Sequence, residues 1–337
     1  MKAVAYQKSL AIDHPESLLD VNLEDPVPQG RDLLVEVKAI SVNPVDTKVR
    51  MRAAPAEGQW KVLGWDASGV VKAVGPDTTL FQPGDRVWYA GALNRAGSNS
   101  ELQLVDERIV GKMPVSLDFA AAAALPLTGL TAWEMLFDRL ALLPGKTFSQ
   151  DALLVIGAAG GVGSIMIQLA RRLTGLTVIG TASRPETQAW VRELGAHHVI
   201  DHSAGIAEEL KRIGIPHPKY IVSLTHTDDH FPQIVQAIAP QGKFGLIDDP
   251  SPIDIRLLKQ KSVSLHWELM FTRSMFVTDD MLAQHRILTE MADMVDEGLI
   301  RTTLGEHFGA INAANLKRAH AFIESGKSRG KIVLEGF

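Results

Sequence analysis

The chain has 337 residues, of which 46% are hydrophobic and 22% are charged, and its formal net charge is −5. Chains of this length usually have more than one hydrophobic core, so we expect two domains. A weakly acidic chain without a basic cluster excludes electrostatic binding of nucleic acid and favours small-molecule partners. The chain has no cysteine, which excludes disulfides, thiol nucleophiles and cysteine-ligated zinc and fits a reducing compartment.

The beginning of the chain has no pattern typical of export. Residues 1–6 lack the long apolar core and the small-residue cleavage site of a signal peptide. The alanine-rich run 119–127 is too short to cross a bilayer. We therefore expect a cytoplasmic protein with no membrane partner.

The first part of the chain, up to about residue 118, consists of short, partly alternating apolar runs. Turn residues such as Pro26, Pro28 and Gly30 separate these runs. The pattern predicts a compact β-barrel domain with strands at 2–7, 33–40, 69–74, 85–89, 102–105 and 109–110.

Residues 118–136 are rich in alanine and then in helix formers, which predicts helices that lead into a second domain. From Asp151 onward, strand and helix patterns alternate. This alternation is typical of a doubly wound parallel sheet. The predicted strands are 153–156, 177–181, 198–200, 220–224, 242–247 and 263–267, and the predicted helices are 186–194, 206–213 and 231–238.

The last part of the chain has no remaining place in a six-stranded sheet. An amphipathic pattern with several methionines predicts a helix over 279–298, which we interpret as a buried core face rather than a binding groove. A helix over 313–326 and a strand over 331–334 follow. We expect these elements to return to the first domain.

A glycine cluster follows the strand at 153–156. Gly157, Gly160 and Gly163 have the spacing of a turn that cradles a dinucleotide pyrophosphate, and a helix pattern begins at Ser164. Glycine is needed there for the tight turn, for close approach to the phosphates and for close helix packing. The alternative is a glycine-rich turn without a ligand.

The end of the next strand predicts which nucleotide binds. NAD sites usually place a carboxylate there, whereas this chain has Ser183 and Arg184. Because arginine can bind a dianionic phosphate, we predict NADP(H). The alternative is that Arg184 is a solvated charge and that Glu186 binds the ribose instead.

Two histidines, His226 and His230, stand four residues apart with carboxylates between them, as in some metal sites. That spacing works only on a helix, and these residues directly follow a strand. We interpret them as a polar turn.

Taken together, five motifs make the chain resemble the medium-chain dehydrogenase/reductase superfamily, in particular its zinc-free quinone oxidoreductases and zinc-type alcohol dehydrogenase-like proteins. They occur in the family's order and are Asn-Pro-Val-Asp-Thr-Lys at 43–48, Gly-Trp-Asp-Ala-Ser-Gly at 64–69, Pro-Gly-Asp-Arg-Val at 83–87, Leu-Thr-Gly-Leu-Thr-Ala at 127–132 and Ala-Ala-Gly-Gly-Val-Gly at 158–163.

The resemblance implies a GroES-like β-barrel catalytic domain at 1–125, to which 270–337 returns, and a six-stranded Rossmann NADP-binding domain at 126–269. It also implies a homodimer formed by edge-to-edge sheet extension. Zinc-dependent relatives carry a cysteine where this chain has Asn43, Gly-His-Glu at 64–66, and another cysteine near Ala124. Because three nitrogen or sulfur ligands cannot be assembled, we predict that no zinc is bound.

Without a Lewis acid, plain alcohol oxidation is disfavoured. We therefore predict NADPH-dependent hydride delivery to a quinone or an α,β-unsaturated carbonyl. The runners-up are a zinc-type alcohol dehydrogenase and an NADPH-binding module without turnover.

The resemblance also implies roles for individual residues. It places Asn43 beside the reacting atoms and the nicotinamide ribose, and Tyr89 is the candidate proton or hydrogen-bond donor, although an inward-facing barrel tyrosine fits equally. Asp46 and Lys48 either position the loop after Asn43 or form a structural ion pair. The predicted cofactor-binding residues are Asn43, Lys48, Thr128, Gly157, Ala159, Gly160, Gly161, Val162, Ser183, Arg184, His202, Thr225, His226 and Ile247.

Overall fold

The computed structural model describes residues 1–145 and 149–337. They form two compact units, of which the first comprises 1–130 and 271–337 and the second comprises 131–270. The expected boundaries were 125/126 and 269/270, so the passage into the second unit lies a few residues later than expected.

The first segment, 1–130, is mainly β-structure with three helices. Its strands are β1 (Lys2–Tyr6), β2 (Leu19–Asn22), β3 (Asp32–Val42), β4 (Lys61–Val62), β5 (Asp66–Val74), β6 (Arg86–Tyr89), β7 (Leu102–Asp106) and β8 (Val110–Lys112), and its helices are α1 (Pro44–Arg52), α2 (Phe119–Ala123) and α3 (Pro126–Trp133), whose last turn lies in the second unit.

The second unit alternates strands and helices. Its strands are β9 (Ala152–Ile156), β10 (Thr177–Thr181), β11 (His198–Ile200), β12 (Tyr220–Ser223), β13 (Lys243–Leu246) and β14 (Ser264–Trp267), and its helices are α4 (Gly161–Leu173), α5 (Pro185–Glu193), α6 (Ile206–Arg212) and α7 (Thr227–Ala237). A π-helical turn, Glu134–Arg139, precedes them.

The chain then returns to the first unit. The returning elements are α8 (Thr272–Phe276), α9 (Ala283–Asp296), β15 (Leu304–His307), α10 (Ala313–Glu324) and β16 (Lys331–Glu335). Strand β16 pairs antiparallel with β3, with Ile332 opposite Val42. The first unit is therefore discontinuous in sequence.

Strand β3 organises the first unit. Along most of its 11 residues, buried and half-buried positions alternate, with Leu33, Val35 and Val37 buried. In the described residues the larger sheet runs β15-β16-β3-β5-β6-β8, β7 also pairs with β3, and a small sheet runs β2-β1-β4. Helix α2 packs through Ala120 and Ala123 against Ala39 and Val333. Its small side chains allow that close approach.

Within the described part of the second unit, the sheet has six parallel strands in the order β11-β10-β9-β12-β13-β14. The strand order reverses beside β9, which makes the carboxyl end of β9 the switch point at which ligands bind in such sheets. Every residue of β9 is buried, as expected for a central strand covered on both faces. The predicted fold class, a GroES-like domain plus a Rossmann domain, is confirmed.

The helical stretch Phe119–Arg139 is longer than the run 119–127 considered in the sequence. Its 21 residues and its mean hydropathy of 1.3 over its most apolar window would allow it to cross a membrane by length and composition alone. However, 89% of that window is buried inside the protein. A buried core helix passes the same test, so the stretch is only weak evidence of a membrane span.

Several helices differ from the sequence prediction: α8 (Thr272–Phe276) was not predicted, and α9 begins at Ala283 rather than at residue 279. Helix α1 was not predicted, because it has no apolar stripe, although it begins with Asn43 as N-cap and Pro44 in its first turn. Helix α7 begins at Thr227 rather than at Phe231, and the acidic pair Asp228 and Asp229 lies in its first turn.

Candidate functional site

The glycine turn after β9 has the backbone conformation that its sequence predicts. Gly157 has a φ of +81°, which a residue with a side chain adopts only under strain. A Cβ on Gly163 would lie 2.5 Å from the carbonyl oxygen of Gly157 and 2.6 Å from Ala158 Cα. Only glycine therefore permits this packing of α4 against the turn.

Gly160 differs from these two glycines. Its φ is −73°, and a Cβ there would meet the Gly157 carbonyl oxygen at an ordinary 3.5 Å. Nothing in the fold itself therefore requires glycine at this position. A glycine that the fold does not require leaves room for a group to approach the backbone.

Helix α4 begins at Gly161, directly after the turn, and runs for 13 residues. Its first N–H groups have no partner within the helix and carry the positive end of its dipole, which suits a phosphate. The half-buried residues Gly157, Ala159, Gly160, Gly161 and Val162 line this turn. The structure thus brings together the part of the predicted cofactor site that depends on the backbone.

Ser183 and Arg184 follow the carboxyl end of β10, where the nucleotide-selecting residues were predicted. Arg184 is the N-cap of α5, and its Nε lies 3.2 Å from Glu186 Oε1. Both side chains are exposed. A phosphate at Arg184 must therefore compete with the Glu186 carboxylate.

The other predicted cofactor residues of this unit follow the ends of β11, β12 and β13. Thr225 Oγ1 lies 2.7 Å from His226 Nδ1, and Ile247 directly follows β13. The His202 ring stacks edge-on against the His230 ring at 5.7 Å.

His226 and His230 do not form a metal pair on one helix. His226 has a φ of +50° and precedes α7 as its N-cap, so only His230 lies on the helix. Burial and the neighbouring imidazoles of His202 and His226 lower the pKa of His230.

The first unit contains a buried polar group around Asp66, which we call the Asp66 cluster; it consists of Ser41, Asn43, Asp66, Lys331 and the backbone N–H of Leu127. Asp66 Oδ1 accepts from the Leu127 N–H at 2.7 Å. Its Oδ2 accepts from Ser41 Oγ at 2.8 Å, from Asn43 Nδ2 at 2.8 Å and from Lys331 Nζ at 3.0 Å. Four donors therefore satisfy one fully buried carboxylate.

Asn43 and Lys331 also interact directly in this cluster. Lys331 Nζ donates to Asn43 Oδ1 and to the Val42 carbonyl oxygen, the latter at 3.1 Å. The side chain of Lys331 is only 3% exposed. No local pattern in the sequence marks Lys331, because it begins an ordinary apolar strand.

Asp46 lies next to this cluster. Its Oδ2 accepts from the Asn43 backbone N–H at 2.8 Å, which fixes the start of α1. Burial raises the pKa of Asp46 to about 7, against the opposing effects of the Asn43 and Gly64 N–H groups and of the Lys331 charge. Lys48 lies two residues further along α1 and is half-buried.

Tyr89 and Thr128 are buried in the first unit. The Tyr89 hydroxyl has no hydrogen-bond partner among the described residues, and burial raises the pKa of Tyr89 far above its usual value. The structure therefore favours the inward-facing barrel tyrosine over a proton donor. The Thr128 hydroxyl donates to the Leu125 carbonyl oxygen at 3.3 Å.

Comparisons with known proteins agree with this architecture. The family model of the alcohol dehydrogenase GroES-like domain matches residues 29–115, and that of zinc-binding dehydrogenases matches residues 194–334. A zinc-type alcohol dehydrogenase-like protein of Staphylococcus epidermidis is 38% identical over 336 residues, which cover 99% of each chain. The chain belongs to the medium-chain dehydrogenase/reductase superfamily. It is thus a member of an oxidoreductase family, as the motifs predicted.

Other members of the superfamily carry different names. A quinone oxidoreductase of Pseudomonas aeruginosa is 32% identical over 334 residues, covering 95% of this chain and 96% of its own. A Rhizobium etli crystal structure, provisionally named a zinc-dependent alcohol dehydrogenase, is 58% identical with a TM-score of 0.96 and covers 100% of this chain and 98% of its own. A mycobacterial structure complexed with NADPH is 27% identical, has a TM-score of 0.83 and covers 99% of both chains.

The residues of this dehydrogenase/reductase do not fit a catalytic zinc ion. At the positions where zinc-dependent relatives carry ligands it has Asn43, Trp65, Asp66 and Ala124. The Trp65 indole can only donate, and it does so to the Ala92 carbonyl oxygen at 3.1 Å. Lys331 already neutralises Asp66. Within 1–145 and 149–337, no group of three or more histidines and carboxylates could hold a metal.

A second buried carboxyl site of this dehydrogenase/reductase escaped the sequence prediction. Glu268, directly after β14, accepts from Arg139 Nε at 2.7 Å and lies against Glu134 of the π-helical turn. Burial, and then the Glu134 carboxyl group, raises the pKa of Glu268 to about 8, whereas Arg139 lowers it. Because these residues are far apart in sequence, only the fold reveals the pair.

Proposed function

We propose that this medium-chain dehydrogenase/reductase uses NADPH to deliver hydride to quinones or α,β-unsaturated carbonyls without zinc. The observation that carries the proposal is the Asp66 cluster. Asp66, at a position where the resemblance places a zinc ligand, is instead paired with Lys331 Nζ at 3.0 Å. With no Lewis acid to polarise an alcohol or a plain carbonyl, the acceptor must already be electron-poor.

The glycine turn supports a dinucleotide cofactor. Gly157 and Gly163 are required by the fold, whereas the room at Gly160 and the first N–H groups of α4 suit a pyrophosphate. Arg184, with no carboxylate at the strand tip before it, supports NADP(H) over NAD(H). The mycobacterial relative complexed with NADPH agrees with this choice.

When bound, NADPH supplies the hydride from C4 of its nicotinamide. The protein then has to bind and orient the cofactor and the acceptor and to exclude water from them. Ser183 and Arg184 hold the adenosine phosphate, and His202 adds a contact there. In the second unit, Thr225, His226 and Ile247 would contact the nicotinamide end. In the first unit, the resemblance assigns cofactor contacts to Asn43, Lys48 and Thr128. Because burial raises the pKa of Tyr89 far above its usual value, we take water as the proton source.

The experiment uses purified protein dialysed against a metal-free buffer. We expect it to oxidise NADPH with a panel of quinones and enones, to prefer NADPH over NADH and to contain no stoichiometric zinc. NADPH oxidation, zinc content and cofactor affinity are measured on the same preparation.

Two other outcomes would contradict the proposal. Stoichiometric zinc with turnover of simple alcohols identifies a zinc-type alcohol dehydrogenase. Tight NADPH binding without turnover of any acceptor identifies a cofactor-binding module.

We also propose that the protein is a homodimer joined through β14. This strand is the last one in the sheet order of the described residues, and Trp267 within it is 55% exposed. An apolar edge strand of this kind tends to pair with another chain. Light scattering is expected to give a dimer mass for the native protein and a monomer mass for Trp267→Glu. A monomeric native protein contradicts this.

A further inference from the structure

Lys331 is a buried cation with every N–H group in use. Its ammonium carries three donors, and the structure gives it three acceptors: Asp66 Oδ2 at 3.0 Å, the Val42 carbonyl oxygen at 3.1 Å and Asn43 Oδ1. The side chain is 3% exposed. Lys331 therefore has no donor left for a substrate, and its effect must pass through its neighbours.

The neighbour that matters is the Asn43 carboxamide. Its Oδ1 accepts from Lys331, while its Nδ2 donates to Asp66 Oδ2 at 2.8 Å and points a second N–H at the Ser41 carbonyl oxygen at 3.4 Å. Because an ammonium can only donate and an ionised carboxylate can only accept, one orientation of the amide satisfies both partners. Rotating the amide by half a turn would set donor against donor and acceptor against acceptor.

The charges around this amide also depend on Lys331. Its ammonium is the cation that faces two buried carboxyl groups, Asp66 directly and Asp46 at longer range. Without it, the Asp66 carboxylate would remain buried with only neutral donors, and burial disfavours such a charge. Asn43 Oδ1 would also lose the Lys331 donor, so the amide would no longer be held in one orientation.

We propose that Lys331 is a positioning residue for hydride transfer: its buried ammonium pairs with Asp66 and holds the Asn43 carboxamide in a single orientation. This inference rests on the proposed function, in which Asn43 lies beside the nicotinamide.

The decisive variant replaces the pair without leaving a charge behind. In Lys331→Met/Asp66→Asn no uncompensated ion is buried, so we expect a folded protein that binds NADPH as the wild type does. We expect kcat to fall about tenfold with little change in KM for the acceptor, because a charge-assisted hydrogen bond to Asn43 is lost. A kcat within about twofold of wild type would show that the pair is only structural and overturns the proposal.

A second variant covers the case in which the double variant does not fold. Lys331→Gln keeps a polar side chain with N–H donors, one atom shorter than lysine, but removes the charge. We expect it to lower kcat with little change in KM for the acceptor, because Asn43 loses its charged donor. A wild-type kcat for Lys331→Gln contradicts the proposal.

The matched control is Ser98→Ala. The Ser98 hydroxyl donates to the Asp66 backbone carbonyl oxygen at 3.2 Å and is equally buried, but it contacts neither Asn43 nor Lys331 through that bond. We expect this variant to lose stability and to keep kcat. A fall in kcat equal to that of Lys331→Gln would show that any loss of packing around Asp66 lowers the rate, which also overturns the proposal.

A readout independent of turnover separates this inference from the proposed function. In protein labelled with [¹⁵N]asparagine, the Asn43 Nδ2 signals are assigned by their loss in Asn43→Ser. The two N–H protons give distinct signals in both proteins, because rotation about the amide C–N bond is slow. We expect their chemical shifts in Lys331→Gln to move from the wild-type values toward those of a solvent-exposed amide. Unchanged signals refute the positioning role, whereas changed signals in a protein that reduces neither quinones nor enones refute only the proposed function.

Discussion

The glycine turn of the second unit and the Asp66 cluster of the first unit are built from opposite materials. The turn consists of backbone, and a single added carbon at Gly163 would collide with it. The cluster consists of side chains, in which four donors converge on the Asp66 carboxylate. The turn therefore depends on the absence of side chains at its glycines, whereas the cluster depends on buried charges that must balance each other.

This difference predicts how each region responds to substitution. We expect the turn to remain folded when side-chain functional groups are removed, but to be destabilised by any side-chain atom added at Gly163. The cluster tolerates small changes of shape but no uncompensated charge, since a buried ion without its partner is costly. The variants below test this contrast.

The largest effect is expected from Asp66→Asn. It leaves the buried Lys331 ammonium without its counter-charge, which destabilises a protein by about 3–5 kcal/mol. Thermal and chaotrope unfolding measure the loss. The matched control is Asp254→Asn, which breaks the exposed pair between Asp254 and Arg256 and is expected to cost at most about 1 kcal/mol. Equal losses in the two variants contradict the contrast.

Asp46→Asn tests the second carboxyl group beside the cluster. Burial raises the pKa of Asp46 from 3.8 to about 7 in the folded protein. The folded state therefore binds more protons than the unfolded state between these values, and the resulting stability is lost as pH rises through about 7. Relative to wild type, Asp46→Asn is expected to gain on the order of 2–4 kcal/mol between pH 4 and pH 8. A pH-independent difference in unfolding free energy would contradict this.

Within the turn, Gly163→Ala is expected to cost about 1–3 kcal/mol, the range for overpacking. Its Cβ would meet the backbone atoms of Gly157 and Ala158, which no rotamer change relieves. Gly160→Ala is the control, because its Cβ has room and the fold is expected to remain stable. Thermal melts compare the two variants. NADPH titration then measures whether Gly160→Ala weakens cofactor binding, as expected if Gly160 faces a phosphate. Equal melting temperatures for the two variants would contradict the claim that the fold requires glycine at 163 but not at 160.

The smallest effect is expected at the edge of the turn, from Arg184→Ala. Losing one charge-assisted contact should weaken NADPH binding about tenfold and leave NADH binding unchanged. Glu186→Gln removes the carboxylate that now pairs with Arg184 at 3.2 Å and should strengthen NADPH binding slightly. Fluorescence titration of both cofactors measures the discrimination. If Arg184→Ala still prefers NADPH over NADH as strongly as the wild type does, another residue contacts the phosphate and the assignment of Arg184 is wrong.

The sequence predicts the turn better than the cluster for a physical reason. Strand β9, the glycines and α4 are contiguous, and each glycine carries its own conformational requirement. Asp66 and Lys331, by contrast, are 265 residues apart, and nothing near Lys331 indicates its partner. The pair Glu134 and Glu268 was missed for the same reason.

Two helices, α1 and α7, begin with local sequence signals that the prediction did not use. The Asn43 and Pro44 pair marks a helix start, but α1 has no apolar stripe to support it. Thr227, Asp228 and Asp229 form a helix start of the usual kind, but 226–230 was interpreted as a polar turn because these residues directly follow a strand. From Thr227 onward that interpretation was wrong. In both cases a start signal alone would have located the helix.

The separation of Asp66 from Lys331 along the chain has a consequence for folding during synthesis. At a synthesis rate of about 5–20 residues per second, the ribosome adds the 265 residues between them in about 13–53 s. Residues 131–270 emerge during that interval and can fold first. We therefore expect the Asp66 cluster to be completed only after β16, which carries Lys331, has been synthesised and has paired with β3.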